Sequence, residues 1–151
     1  MALNFSTGFK DGLLDTGSLK SMFDDGYIDV YSGTVPADAD AAIGGATLLV
    51  TYSDNGAAEG AGNGIDLDSA ASGGAISKAP AQVWKGTAGN TGTASFFRFR
   101  QLSDTGASST TEIRIQGTVG GGGADLFVTS TTFTSAVAYT LDAFSISIPD
   151  L

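Results

Sequence analysis

The chain contains no cysteine and no histidine among its 151 residues, and this double absence excludes many kinds of chemistry. Without cysteine there is no disulfide, no thiolate nucleophile and no zinc–sulfur site. Without histidine there is no Ser-His-Asp triad, no imidazole base and no usual transition-metal ligand. A chain of this length still buries about two-thirds of its unfolded surface, so we expect one domain whose core needs neither metal nor disulfide.

Basic residues are also scarce, with seven against sixteen acidic ones and a net charge of -9. Residues 1–75 hold eleven of the acids and only Lys10 and Lys20, whereas the two signs balance in residues 76–151. A basic patch for nucleic acid is therefore not expected. No apolar run reaches about 18 residues, and no basic segment precedes an apolar stretch, so we expect no membrane partner and synthesis in a cytoplasm.

The first 25 residues have a helical pattern. Phe5, Phe9, Leu13 and Leu14 share one helical face, with Ser6 or Thr7 as the N-cap, and Leu19, Met22 and Phe23 form a second short apolar group. Asp24-Asp25-Gly26 is a strong turn signal that ends the segment. The pattern predicts a helical N-terminal arm over residues 1–25, with its phenylalanines packed against another surface.

From Tyr27 onward the apolar residues alternate with period two, which predicts strands. Residues 26–151 divide into seven or eight short antiparallel strands, interrupted by a long loop rich in Gly, Ala and Asp at about residues 53–80. Turn signals recur every 8 to 12 residues. The sequence therefore predicts an all-β fold, a β-sandwich of the jelly-roll type with a short helical N-terminal arm.

Two segments of the second half, residues 94–102 and 111–119, form the clearest predicted hairpin. The pairing we expect places Phe99 opposite Ile113 and Phe97 opposite Ile115 on the core face. Its solvent face carries Arg100 opposite Glu112 and Arg98 opposite Arg114. A shift of register by two residues would preserve both faces. Near the end of the chain the alternation slips, and we expect a β-bulge at Asp142-Ala143.

Carboxylates are the only abundant catalytic groups in the sequence. Asp66 and Asp68 have strand spacing, but small residues surround them, and a glycosidase acid needs a desolvating pocket. The loop acids are also hard ligands for calcium, yet Ala70 and Ala71 stand where an EF-hand requires Asp or Asn followed by Gly. The sequence therefore predicts no catalytic, cofactor-binding or metal-binding residues and no enzyme, with a structural calcium ion as the alternative.

Three groups of residues are candidates for contacts with a partner. The first is the arm phenylalanines Phe5, Phe9 and Phe23. The second is Trp84, which with Tyr27 and Tyr31 could form a platform for stacking sugars. The third is Arg98 with Arg114, a local positive charge suited to an acidic neighbour in an otherwise acidic protein.

Two segments resemble a known group of proteins. The first segment is the opening LNFSTG followed by YIDVYSGTVPADADAA. The second is the closing part, which runs from FFRFRQLSDTG through GGGGADLFVTSTTF to AFSISIP. Both are similar to small proteins encoded among the virion genes of tailed bacteriophages and prophages. The resemblance covers roughly 90 residues and is carried best by residues 33–42 and 123–125. It supplies no catalytic residues.

The resemblance implies a non-enzymatic structural protein of a tailed-phage virion, assembled in the bacterial cytoplasm. We expect a capsid decoration or cement subunit that forms homo-oligomers and contacts other virion proteins, the major capsid or tail proteins. The alternatives are a tail or tail-fibre subunit, including a carbohydrate-binding module, and, from a different class, a carboxylate hydrolase.

Overall fold

The computed structural model describes residues 3–147, in which β-strands predominate and two short helices lie near the start. The helices are α1 (Thr7–Asp15) and α2 (Leu19–Phe23). The strands are β1 (Asn4–Phe5), β2 (Tyr27–Ser32), β3 (Thr47–Asp54), β4 (Ala75–Ser77), β5 (Trp84–Thr87), β6 (Gly92–Thr93), β7 (Phe96–Arg100), β8 (Arg114–Gly120), β9 (Leu126–Phe127), β10 (Thr132–Phe133), β11 (Ala138–Leu141) and β12 (Ser145–Ser147). The predicted all-β class with a short helical N-terminal part is confirmed. No helix within residues 3–147 has the length and apolar character needed to cross a bilayer.

One eight-stranded sheet organises the molecule. Its strands follow the order β1-β8-β7-β2-β3-β5-β11, and β9 pairs with β8 beside this path. The β8–β9 pair is parallel, whereas the other pairs of the sheet are antiparallel, as predicted. Two further ribbons, β10–β6 and β12–β4, complete the strands. Phe144, just before β12, packs on Trp84, Phe97 and Phe99, which makes the architecture sandwich-like.

The β7–β8 hairpin forms with a register two residues away from the predicted one. Phe99 lies opposite Ile115 and Phe97 opposite Gly117, so the predicted pairs with Ile113 and Ile115 are wrong. Arg100 faces Arg114 rather than Glu112, and Arg98 faces Gln116. Because side chains alternate with period two, the shift leaves each residue on its expected face. Gly117 fits this register because a Cβ there would lie 2.8 Å from Cε1 of Phe97.

The apolar face of the sheet carries the core. Ile28, Val30, Phe97, Phe99 and Ile115 are all buried on it. The two helices cover this face: Phe9 packs edge-on against Phe23, which in turn packs on Phe99.

The N-terminal arm is joined to this core from its first described residues. β1 pairs with β8, and Ser6 is the N-cap of α1, as the sequence allowed, accepting from the Phe9 amide at 3.1 Å. Phe9 lies on the buried face of the helix, but Leu13 and Leu14 are exposed, so the predicted apolar face extends too far. Gly12 lets the two helices meet, since a Cβ there would lie 2.6 Å from the Met22 sulfur.

The long segment after β3 and the end of the chain are more ordered than the sequence suggests. Ile65 and Leu67 are buried in the core and form isolated bridges with Gly26 and Lys78. The slip at Asp142-Ala143 is not a bulge within one strand. The chain leaves β11 in the main sheet and enters β12 in a separate ribbon, which keeps Leu141 and Ile146 buried.

Candidate functional site

The second face of the main sheet is polar yet buried, and it holds all three arginines of the chain. Arg98 and Arg100 on β7 and Arg114 on β8 share this face with Asp29 on β2 and Gln116 on β8. We call it the arginine face. It is covered by the loop between β2 and β3 (residues 33–46, the first covering loop) and the loop between β7 and β8 (residues 101–113, the second covering loop). The sequence predicts a solvent-facing surface here, and that prediction is wrong.

Arg114 forms the most deeply buried ion pair of the face. Its Nε and Nη2 donate to the two carboxylate oxygens of Asp104, each at 2.6 Å, and neither side chain is more than 1% exposed. Burial alone would raise the pKa of Asp104, but the hydrogen bonds from Arg114 and the Gly106 amide hold that pKa below its ordinary value. Asp104 therefore stays ionised and fixes the second covering loop to the sheet.

Arg100 forms the second ion pair. Its Nε donates to Asp29 at 2.6 Å and its Nη2 to Glu59 at 2.9 Å, while its guanidinium stacks over the Tyr27 ring. Burial opposes the charge, yet the hydrogen bond and the charge of Asp29 outweigh it, so the pKa of Arg100 lies above its ordinary value. Tyr31 also donates to Asp29, and burial together with this carboxylate raises the pKa of the phenol.

Arg98 differs from the other two because it donates to no carboxylate. Its Nη1 donates to the Ala41 carbonyl at 3.0 Å, and its Nη2 donates to Gln116 Oε1 at 2.5 Å and to the Asp38 carbonyl at 3.4 Å. Its Nε is a buried atom without a hydrogen-bond partner among residues 3–147. Burial and the like charge of Arg114 lower the pKa of this guanidinium from its ordinary value.

These side chains hold the first covering loop by its backbone. Besides the Arg98 bonds, Arg114 donates to the carbonyls of Ala39 and Asp40, and Gln116 donates to that of Pro36. Asp40 closes the other end by accepting from the amide and hydroxyl of Thr7 at the start of α1. The loop is thereby fixed to the sheet and to the N-terminal helix.

A small cavity of about 220 Å³ lies where the two covering loops meet the sheet. Its lining comprises Asp29, Tyr31, Ile43, Leu48, Arg98, Arg100, Asp104, Thr105 and Gly106. The Ile43 amide donates to the Gly106 carbonyl at 3.0 Å and so links the two loops. Thr105 is exposed, which places the mouth of the cavity at the surface.

A larger open groove of about 610 Å³ lies between the β4–β12 ribbon and the segment around β9. Two of its charged groups already have partners: Lys78 donates to the carbonyls of Ala79 and Gln82, and Asp125 accepts from the amide and hydroxyl of Thr118. The groove is otherwise open, and no cation among its lining residues lacks a partner. The arginine face is thus the better candidate for a site.

Five of the six predicted partner contacts are buried inside the chain. Phe9, Phe23 and Trp84 are fully buried in the core, and Arg98 and Arg114 are covered by the two loops. None of these five side chains is exposed at the surface, so none is an open contact surface in this fold, and their role in binding a partner stays a prediction. Phe5 is partly buried and packs edge-on against Phe9.

The sugar platform also fails, because Trp84 is buried with Tyr27 and Tyr31 and its indole donates to Gln82. Its ring packs against Phe144 and lies 5.7 Å from the Lys78 ammonium. These aromatic rings have no open face on which a sugar could stack.

The acidic loop residues hold turns and loops. Asp25 accepts from the amides of Gly62 and Gly64, and Asp66 accepts from the Asp25 amide and from Gln82. Asp38 accepts from two amides of its own loop. Residues 3–147 contain no group of three or more acidic side chains arranged to hold a metal ion.

No protein-family model, curated protein or solved structure matches this chain. Two buried ion pairs and one guanidinium without a carboxylate hold two loops on a sheet. Asp104 does not suit the role of a general acid, which requires a carboxyl with a raised pKa in an apolar pocket. Asp29 already accepts hydrogen bonds from Arg100, Tyr31 and Thr51.

Proposed function

We propose that the chain is a non-enzymatic structural subunit of a tailed-phage virion, and specifically a capsid decoration or cement subunit. The observation that carries the proposal is the use of the charged groups. The buried Asp104 and Arg114 fix both covering loops to the sheet, and Asp29 and Arg100 join two neighbouring strands. Such ties suit a subunit that keeps one shape while it bears load in a particle.

The resemblance to virion proteins supports the same proposal. Residues 33–42, which carry it best, lie in the first covering loop. This is the segment whose carbonyls accept hydrogen bonds from Arg98, Arg114 and Gln116. The resemblance thus falls on residues that fix the architecture of the fold.

Exposed apolar side chains supply new candidates for contacts between subunits. Leu14 at the end of α1 is 87% exposed, the most of any large apolar residue within residues 3–147, and Phe127 on β9 is 52% exposed. These residues replace the buried phenylalanines and Trp84 as candidates for contact with a second copy or with the major capsid protein.

Mass spectrometry of purified particles from a phage or prophage that encodes this chain tests the proposal. We expect many copies per particle, and labelling in electron micrographs should place them on the head. Labelling on the tail would favour the alternative of a tail or tail-fibre subunit. Absence of the chain from the particles would refute a virion role.

The contact residues are tested by adding purified chain to particles that lack it. Leu14→Ser is expected to weaken binding, whereas Lys10→Ser, an exposed change on the same helix, should leave binding unaltered. Equal binding by both variants would remove Leu14 from the interface.

A further inference from the structure

Arg98 is the one arginine of this face that binds no carboxylate. Asp29 and Glu59 both bind Arg100, and Asp104 binds Arg114, so Arg98 is left with carbonyl oxygens and the Gln116 amide. A buried charge is costly unless it is paired and fully hydrogen-bonded, and an unpaired buried donor adds to that cost. The Nε of Arg98 is such a donor.

The cavity at the loop junction lies beside this group. Arg98 forms part of its lining, and its volume of about 220 Å³ corresponds to about seven water molecules at their share of liquid volume. Thr105 brings a hydroxyl to the exposed mouth. The cavity therefore has space for a group of a few heavy atoms next to a cation that lacks an anionic partner.

We propose that this cavity is a binding site for a single carboxylate group, which pairs with Arg98 and accepts a hydrogen bond from its Nε. Because Nε is buried, binding includes a local rearrangement at the mouth of the cavity, at Thr105. Thr105 is exposed, lies outside the helices and strands and lines the cavity, whereas its neighbours Asp104 and Gly106 stay held by their hydrogen bonds.

The charges around the cavity favour a monoanion. Asp29 and Asp104 line the same space, and each is already neutralised by an arginine at 2.6 Å. A group with two or more negative charges would meet these carboxylates with only one guanidinium, that of Arg98, free of a carboxylate partner. A carboxylate supplies the direct anionic partner that Arg98 lacks, and guanidinium–carboxylate hydrogen bonds are among the strong ones in proteins.

Two sources could provide the carboxylate: a free small acid, or an acidic side chain of a second copy of this chain. Both present the same chemistry to Arg98. The second source would connect the site to the proposed assembly, whereas the first is independent of any virion role.

Nuclear magnetic resonance of the arginine side chains tests the site directly. The chain has three arginines, all on this face, so protein labelled with ¹⁵N-arginine gives three Nε–H cross-peaks that through-bond correlation assigns. Titration with sodium acetate is compared with sodium chloride at equal ionic strength. We expect a saturable shift of the Arg98 cross-peak, with smaller changes at Arg100 and Arg114.

A variant pair measures the contribution of Arg98. Arg98→Lys keeps the charge but removes Nε, and it should weaken acetate binding by about tenfold or more, the equivalent of one hydrogen bond to a charged group. Backbone amides of Thr105 and Gly106 serve as the readout in this variant. Lys85→Met removes a cation on β5 outside the cavity lining and should retain the wild-type affinity.

A dilution series without acetate separates the two sources. An Arg98 shift that depends on protein concentration assigns the carboxylate to a second copy, and an acetate-dependent shift alone assigns it to a free acid. Either result supports the site. If the Arg98 cross-peak of the wild-type protein changes neither with acetate nor with dilution, the proposal is wrong, whatever the variants do.

Discussion

Replacement of Asp104 by asparagine is the most informative single change in this protein. The carboxylate is fully buried against Arg114, whose other hydrogen bonds go to backbone carbonyls of Ala39, Asp40 and Ala107. Asparagine has nearly the same shape but no charge, so Arg114 would remain buried without an anion. Loss of one partner of a buried ion pair costs about 3–5 kcal/mol.

Urea unfolding, followed by the fluorescence of the single tryptophan, measures this loss. With a slope of about 2 kcal/mol per M, a loss of that size moves the midpoint down by about 2 M. Asp11→Asn is the matched control, since Asp11 is exposed on α1 and its change should stay within about 0.5 kcal/mol.

A double variant distinguishes the ion pair from general disturbance of the loop. Asp104→Leu combined with Arg114→Met removes both charges together, and we expect the double variant to be more stable than Asp104→Asn alone. The reasoning is refuted if Asp104→Asn and Asp11→Asn differ by less than about 1 kcal/mol.

Three further predictions concern acid, a backbone conformation and a helix cap. The pKa of Asp104 is lower in the folded chain than the unfolded value of about 3.9, so its stabilisation is complete above about pH 5. This stabilisation is lost as the pH falls through the folded-state pKa. The urea midpoints of the wild type and of Asp104→Asn should therefore converge in acid. A difference between the two midpoints that stays constant with pH would contradict this. Ala136 has a φ of 67°, and Ala136→Gly should raise the free energy of unfolding by about 0.5–1 kcal/mol, whereas Ala138→Gly on β11 should lower it. Ser6→Ala removes hydrogen bonds to the Phe9 and Arg114 amides and to the Glu112 carbonyl. It should lower the free energy of unfolding, measured by heat or urea, by about 2–3 kcal/mol. The loss should be clearly larger than that of Ser18→Ala at the exposed cap of α2.

The alternation of side chains made the strands and their two faces predictable. Phe97 and Phe99 are in phase with Ile28 and Val30, and all four face the core as the period of two requires. The register between β7 and β8 was not predictable, because a shift by two preserves every face. In the observed register a Cβ at Gly117 would crowd Phe97, and this close approach is visible only in the three-dimensional packing.

The arginine face shows why charge alone misleads a sequence-based prediction. Arg98 and Arg100 alternate with phenylalanines, and charged residues normally face solvent, so the solvent face was the natural prediction. The signal that could have corrected it is Asp29, which alternates with Ile28 and Val30 on a neighbouring strand. Asp29, Arg98 and Arg100 lie on the same face of two strands whose other residues are largely apolar. This pattern indicates that the charges pair with each other on a covered face. Two loops cover this face because their backbone carbonyls accept hydrogen bonds from the arginines. Every residue type has such a carbonyl, so the sequence does not show which loop will bind there.

The order of strands in the main sheet also affects how the chain reaches its fold. β2 lies between β3 and β7, and β1 pairs with β8, so residues near the beginning must find partners about 65 to 110 positions later. During synthesis the helices and β2 leave the ribosome long before Phe96–Arg100 and Arg114–Gly120 exist. The centre of the sheet therefore forms only when most of the chain is made, and we expect slow folding, on the order of milliseconds to seconds, as for other sheets dominated by distant contacts.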